Sequence, residues 1–285
     1  MPELPEVETI RLFLSKNLIG KTITQIDIRE PKQFHGDQNE VIGKKITNVG
    51  RTGKILHIKI DPLYLSFHLK LSGQILYANH KDNPTFKNVI PRANSNKMPS
   101  STTRVIFYFD DNSALYFNDM RKFGWVKLSE KPEEPKAVDI LSPAFTLDYF
   151  TKAITGVRRP IKVVLLDQDK MAGIGNIYAN DSLWEARIHP ARKANTLSVD
   201  ETKILYEAIL KIINEGVKYR GSSAADELYV LPDSEKGQYQ HHFKTYYQHG
   251  KPCKRCGELI VRTVVGGRGT FYCPKCQSEN PQLFV

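Results

Sequence analysis

Near the start of the chain Val7, Ile10, Leu14 and Leu18 recur at helical spacing, and Gly20 follows as a C-terminal stop. The pattern predicts a helix over 5–19. From about residue 22 to 128 the apolar runs shorten, at Thr22–Ile28, Lys45–Val49, Lys54–Ile60, Tyr64–Leu69, Val105–Phe109 and Ala114–Phe117. Short strands split by Gly, Asp and Asn turns predict a sandwich or barrel. The stretch 80–103 is rich in Asn, Ser, Pro and Lys, lacks periodicity, and reads as a long mobile loop. A charged, Pro-containing linker covers 129–139, and beyond it the pattern turns helical. Ser198 and Glu201 have the spacing of a capping box. The helix they open carries Ile204, Leu205, Ala208, Ile209, Ile212 and Ile213 on one face and ends near Gly216–Gly221.

Composition narrows the class. A chain of 285 residues holds two modest domains, and 40% hydrophobic with 25% charged residues excludes wholesale disorder. No apolar run reaches the ~18 residues of a membrane span. The acidic, Pro-rich start does not fit a signal peptide. Lys and Arg number 41 against 31 Asp and Glu, a net charge of +10. Such a surplus makes a polyanion the first partner to consider, nucleic acid above all.

The four cysteines are Cys253, Cys256, Cys273 and Cys276, two C-x2-C pairs separated by sixteen residues. This spacing suits a four-cysteine zinc site. Four thiolates close a tetrahedron without an open position, so one structural Zn2+ per chain is expected. Its binding contributes on the order of 10–16 kcal/mol to folding a small tail. Two disulfides in an exported protein are the alternative. Between the pairs, Leu259–Tyr272 reads as a hairpin turning at Gly266–Gly269. Arg268 projects from the tip amid Lys251, Lys254, Arg255, Arg262 and Lys275. A cationic tip suits a phosphate backbone; a protein-binding zinc ribbon is the other reading.

Met1 followed by Pro2 favours removal of the initiator, which makes Pro2 a secondary-amine terminus. An α-amino group titrates near ~8, so a useful fraction is unprotonated at neutral pH. Attack of such an amine on a sugar C1′ leaves an iminium that cannot shed its charge by losing an N–H. The persistent cation acidifies the C2′ proton and favours β-elimination of the 3′ phosphate. Glu3 is the adjacent proton donor and acceptor. Glu6, at the start of the helix, is either part of this chemistry or a complement to the helix dipole.

Together these features resemble the bacterial formamidopyrimidine-DNA glycosylases, bifunctional glycosylases and abasic-site lyases. The resemblance runs nearly end to end. It is carried by P-E-L-P-E-V-E-T at 2–9, G-K at 53–54, H-L-K-L-S-G at 68–73 and D-M-R-K-F-G at 119–124. L-L-D-Q at 165–168, A-G-I-G-N-I-Y-A at 172–179, G-S-S at 221–223 and the cysteine motif at 250–277 continue it. It implies a multidomain α+β fold: a catalytic β-sandwich with flanking helices over 1–130 and a linker over 131–145. A helix-two-turn-helix domain over 146–235 and a zinc-finger hairpin over 236–285 complete it. It also implies a monomeric cytoplasmic enzyme that binds damaged duplex DNA between its domains, not at a membrane.

By the same resemblance Pro2 is the nucleophile, Glu3 its acid–base partner and Glu6 an active-site carboxylate. Lys54 contacts the phosphate flanking the lesion; its parity with Leu56, Ile58 and Ile60 lets it extend from the apolar face of a strand. Leu71, Arg121 and Phe123 form the wedge that fills the gap left by an extruded base. Asn176, after Gly173 and Gly175, binds phosphate at a helix N-terminus. Lys162 is associated with the lesion pocket, and Arg268 grips phosphates from the zinc finger.

The chain departs from the family pattern in places. Leu71 stands for the usual Met and Met120 for a common Pro, and Tyr247-Gln248 replaces Gly-Arg. The segment 224–230 also differs from the usual lesion-capping loop. These departures bear on base preference more than on the reaction. Oxidised purines, 8-oxoguanine and formamidopyrimidines, are the expected substrates, with strand cleavage by β,δ-elimination. An endonuclease VIII-like enzyme for oxidised pyrimidines is one alternative, though Leu4-Pro5 and the Arg121–Phe123 run favour the purine branch. A non-catalytic zinc-containing DNA-binding protein on the same scaffold is the other. If phosphate contacts dominate affinity, binding to duplex DNA weakens steeply as salt rises; a titration in which affinity is flat across salt excludes that reading.

Overall fold

The computed structural model describes residues 2–88, 96–223 and 229–279. The chain divides into two compact units. One runs to Glu134 and takes back Val217–Gln240; the other holds Pro135–Gly216 and the residues from His241 onward.

In the first unit, helix α1 (Leu4–Leu18) buries Val7, Ile10, Leu14 and Leu18, the four positions the periodicity marks. Its chain leaves through Gly20, at φ +93°. The strands form two sheets. One is antiparallel, in the order β1 (Ile23–Ile28), β7 (Thr103–Phe109), β8 (Ala114–Asp119), β6 (Gly73–Ala78). The other runs β2 (Phe34–His35), β9 (Trp125–Ser129), β5 (Leu63–His68), β4 (Ile55–Ile60), β3 (Asn48–Thr52), with only β2 and β9 parallel. A single apolar core joins α1 to both sheets. Phe67 of β5 meets Phe107 of β7 at 5.6 Å and Phe117 of β8 at 6.2 Å between ring centroids. This is the expected sandwich.

The strands differ from the sequence reading where burial is two-sided. β6 shows no alternation because Ile75 and Tyr77 enter the main core while Leu76 and Ala78 enter a second cluster. The expected 45–49 strand begins only at Asn48, with Lys45 in an isolated bridge to Thr22. Around the 80–103 stretch, Phe86 and Met98 are buried in that second cluster, and Phe86 N–H donates to the Asn96 carbonyl at 2.9 Å. The described flanks of the expected mobile loop are thus anchored by two apolar side chains in a polar run. Residues 89–95 lie outside the described residues.

Val217–Gln240 belong with the strands, whereas the boundaries expected from the sequence put 217–235 with the helices and 236–240 with the zinc finger. The physical reason is burial. Tyr229 and Leu231 enter the main core, the Tyr77 N–H donates to the Pro232 carbonyl at 2.8 Å, and Lys87 pairs with Glu235.

The second unit contains α2 (Leu147–Ile154), α3 (Ile161–Leu165), α4 (Asn176–Glu185), all but the last two residues of α5 (Val199–Lys218) and a hairpin of β10 (Val261–Val265) and β11 (Arg268–Tyr272). The α5 capping box forms as read: Glu201 N–H donates to Ser198 Oγ at 3.1 Å, and Ser198 N–H to Glu201 Oε2 at 2.8 Å. Its inner face is as expected except for Ile204, which is half exposed.

His57 of β4 is buried opposite Ser66 of β5, with Nδ1 3.1 Å from Ser66 Oγ. Burial, reinforced by the Arg51 charge, pushes its pKa down to about 4. The folded state therefore holds a neutral ring where the unfolded chain takes up a proton near ~6.5. The associated stability is complete above that value and is lost as pH falls toward 4. The shift corresponds to about 3 kcal/mol at ~1.36 kcal/mol per unit. Urea melts of His57→Gln are expected to lack this part of the acid loss; parallel pH curves for variant and wild type would refute it.

Candidate active site and zinc centre

The start of α1 is built from carboxylates. Glu3 is the N-cap, and its side chain accepts from the N–H of Glu6. In return Glu6 Oε2 accepts the Glu3 N–H at 2.8 Å. Glu3 and Glu6 are almost inaccessible, at 3% and 1% exposure, and Pro2 is buried directly before them. Glu6 Oε1 accepts a second backbone donor, the Ser222 N–H, at 2.8 Å. Gly221, at φ +75°, leaves room for this: a Cβ there would lie 2.8 Å from Glu6 Cγ and Oε1. Tyr229 closes the site by donating to the Arg220 carbonyl at 3.1 Å. Dipole complementarity, the bland reading of Glu6, therefore accounts for only part of its work.

Lys54 occupies a hairpin turn, not the strand position its parity predicts. Thr52 pairs with Ile55, so Gly53 and Lys54 are the two turn residues, with Gly53 at φ +59°. Arg51 ties this turn to α1. Its Nη1 donates to the Gly53 carbonyl at 2.8 Å and its Nε to Glu8 Oε2 at 2.9 Å. Glu8 also pairs with Arg11. Burial would raise the Glu8 carboxyl, but the hydrogen bonds from Arg11 and Arg51 hold it below its ordinary value. Neighbouring His68 is pushed down to about 3 by burial and by the charges of Lys70 and Lys54, so its ring is neutral. Arg51 lies outside the quoted motifs, and Glu8, though inside the 2–9 motif, has no role marked by it; their partners reveal both.

Leu71 is half-buried in the tight turn between β5 and β6. Arg121 and Phe123 are exposed on the turn between β8 and β9, with Phe123 58% accessible.

In the second unit, Asn176 is the first residue of α4, and its Nδ2 donates to the Gly269 carbonyl at 3.1 Å. The hairpin turns on Gly266 and Gly267, at φ +58° and +73°, because Val265 pairs with Arg268. The turn is thus shorter than expected, and Arg268 is exposed at the first position of β11. A side chain on Gly266 would collide with Val163, so the tip is seated on α3. Lys162 departs from the expectation of a lesion-pocket lysine. It is fully buried, and Nζ donates to the Gly269 carbonyl at 2.8 Å and to Thr270 Oγ1 at 2.7 Å. Its charge serves the backbone beside Arg268.

The four cysteine sulfurs lie within 4.8 Å of one another. Separations of 3.9, 3.5 and 3.3 Å for Cys253–Cys276, Cys256–Cys273 and Cys256–Cys276 bracket the ~3.8 Å edge of a tetrahedron with ~2.3 Å zinc–sulfur bonds. No pair is disulfide-bonded. N–H donors surround the sulfurs: the Trp184 indole and Arg255 backbone reach Cys253 at 3.3 and 3.4 Å, and the Cys276 backbone reaches Cys273 at 3.3 Å. Such donors stabilise thiolate. Against burial, the Arg255 and Cys256 backbone and the Trp184 indole bring Cys253 down to about 6, whereas burial and contact with the other thiols push Cys273 and Cys276 up. The donor set fits one structural Zn2+.

The family comparisons match this arrangement along its length. The formamidopyrimidine-DNA glycosylase N-terminal domain matches residues 1–126, its H2TH domain 137–227, and the zinc finger found in FPG and IleRS 250–278. Formamidopyrimidine-DNA glycosylase of Cytobacillus firmus is 37% identical across 97% of this chain and 100% of its own. This chain belongs to the formamidopyrimidine-DNA glycosylase family. Among solved structures, the Fpg protein of Thermus thermophilus matches with a TM-score of 0.83 at 33% identity, over 98% of this chain and 100% of that one. Lactococcus lactis Fpg in complex with abasic-site DNA matches with a TM-score of 0.83 at 30% identity, over the same shares.

Metal analysis is expected to find one zinc per chain, lost in Cys273→Ala. Chelation under mild denaturant should release it together with a change in tryptophan emission, because the Trp184 indole bonds Cys253. Four freely titrating thiols in the native protein would exclude the site.

Proposed function

We propose that this chain excises oxidised purines from duplex DNA and then cleaves the strand at the resulting abasic site. The observation that carries the reading is the seat of Pro2, directly before the buried N-cap Glu3, whose backbone and side chain interlock with buried Glu6 in the first turn of α1.

With the initiator removed, the Pro2 nitrogen attacks C1′ of the damaged nucleotide. The bond from N to C1′ forms as the glycosidic bond breaks, and the base leaves with a proton. The C1′–O4′ bond then opens as O4′ takes a proton from Glu3, and the resulting iminium draws electron density from C2′. A base removes the C2′ proton, and the C3′–O bond breaks to release the 3′ phosphate. A second elimination releases the 5′ phosphate, and water frees the amine. Glu3 handles protons beside the nitrogen, while Glu6 holds the Glu3 backbone against the 221–222 turn. Lys54 meets a phosphate flanking the lesion, and Arg268 and Asn176 engage further phosphates. Leu71, Arg121 and Phe123 enter the duplex where the base has left. The excess of positive charge supports this use of a polyanionic partner.

Among the described residues no helix is long and apolar enough to cross a membrane. The bacterial relatives support a place on the chromosome in the cytoplasm.

Borohydride reduction during turnover should trap a protein–DNA adduct on 8-oxoguanine duplex, and Pro2→Gly should give none. Glu3→Gln, which keeps the capping acceptor, is expected to slow turnover by about 10²–10⁴-fold. Correctly trimmed protein that neither cuts nor cross-links lesion DNA would overturn the reading. Faster cutting of oxidised pyrimidines would overturn its substrate class.

A further inference from the structure

Asp119 is wholly inaccessible, yet its carboxylate is saturated by four donors from three separate segments. Oδ1 accepts from the Ser72 hydroxyl and from the Arg121 N–H at 3.1 Å. Oδ2 accepts the Gly124 N–H at 2.7 Å and Gln33 Nε2 at 3.0 Å. Ser72 Oγ accepts the same Arg121 N–H at 2.9 Å, and Gln33 Nε2 also reaches the Gly124 carbonyl at 2.8 Å. Arg104 Nε fixes the Asp119 carbonyl at 2.8 Å. A carboxylate offers about four acceptor sites, and here each has a donor.

Three of these donors, Ser72, Arg121 and Gly124, lie in the two turns that display Leu71, Arg121 and Phe123; Gln33 comes from a separate segment. Both turns are strained in the same way: Lys70 at φ +50° precedes Leu71, and Lys122 at φ +58° precedes Phe123. A lysine in the left-handed region needs surroundings that hold it there. The first turn closes through the Gly73 N–H on the Leu69 carbonyl, at 2.8 Å. In the second, a Cβ on Gly124 would meet Phe117 Cζ at 2.9 Å and the His68 carbonyl at 3.0 Å. Lys122 is held by Glu30. The exposed side chains are therefore mounted on two tight turns that meet at one buried anion.

We infer that Asp119 is a positioning residue that, through Ser72, locks the Leu71 turn and the Arg121–Phe123 turn into one rigid wedge for opening the base stack. The inference rests on the proposed function and deepens it. A wedge that arrives already shaped does not have to be ordered while the duplex is being opened. Extrusion is costliest from a paired stack and least costly from a mismatched or damaged site. Loss of the lock should accordingly be felt where the base is fully paired.

The test compares Asp119→Asn and Ser72→Ala on two substrates: 8-oxoguanine paired in duplex, and a pre-formed abasic site. The amide of Asn presents donors to donors, while Ser72→Ala severs only the link between the turns. Excision of the paired base is expected to fall on the order of 10²-fold in Asp119→Asn, and by less in Ser72→Ala. Abasic-site cleavage should be little changed in both. A 2-aminopurine next to the lesion in the paired duplex should brighten more slowly in both variants. Equal loss on the two substrates means that Asp119 merely holds the fold, and overturns the inference. Should Asp119→Asn not fold, Ser72→Ala decides: wild-type excision and wild-type 2-aminopurine kinetics would overturn it. Failure of the wild type on both substrates would instead overturn the proposed function.

Discussion

Buried backbone N–H groups need acceptors, and at three irregular segments of this protein buried carboxylates supply them. Glu6 takes the N–H groups of Glu3 and Ser222, and Asp119 those of Arg121 and Gly124. Asp181 of α4, equally inaccessible, takes those of Lys244, Thr245 and Tyr246 on the approach to the first zinc knuckle. Helices and sheets satisfy their own donors, but turns that display functional side chains do not. A carboxylate is the one common side chain that accepts several such bonds at once.

The zinc centre solves a related problem of size. The hairpin of β10 and β11 has too little apolar surface to fold unaided. Its cysteines share a small cluster with Trp184, Ile260 and Phe271. Arg255 stacks 4.0 Å from the Trp184 ring and donates to the carbonyls of Trp184 and Glu185, which end α4. The opposite end of α4 carries Asn176, bonded to Gly269 beside Arg268. Metal, helix and finger tip therefore form one connected body, and Lys162 stiffens it from within.

Tyr247 stands where the family resemblance has glycine. It keeps a glycine-like backbone, at φ +52°, and its half-exposed ring lies 5.4 Å from Phe271 and 4.7 Å from Tyr246. Ring packing offsets the cost of the left-handed conformation. Of the departure at 224–230, residues 224–228 lie outside the described residues, while Tyr229 and Val230 are buried.

Several features were legible in the chain because each depends on residues close in sequence. The phase of α1, the Ser198–Glu201 cap, the zinc knuckles and the Gly-Gly hairpin are of this kind. The motifs also marked Pro2, Glu3, Arg121 and Phe123. Tertiary structure alone revealed that Asp119 joins two turns, that Arg51 binds the Lys54 turn to Glu8, and that Lys162 is buried under the finger. It alone returned 217–240 to the strands and split β6 between two cores. Local spacing sets which dihedrals and knuckles can form, but the partner of a buried charge is chosen by chain segments dozens of residues away. That choice is made only when the core closes and the charge loses water.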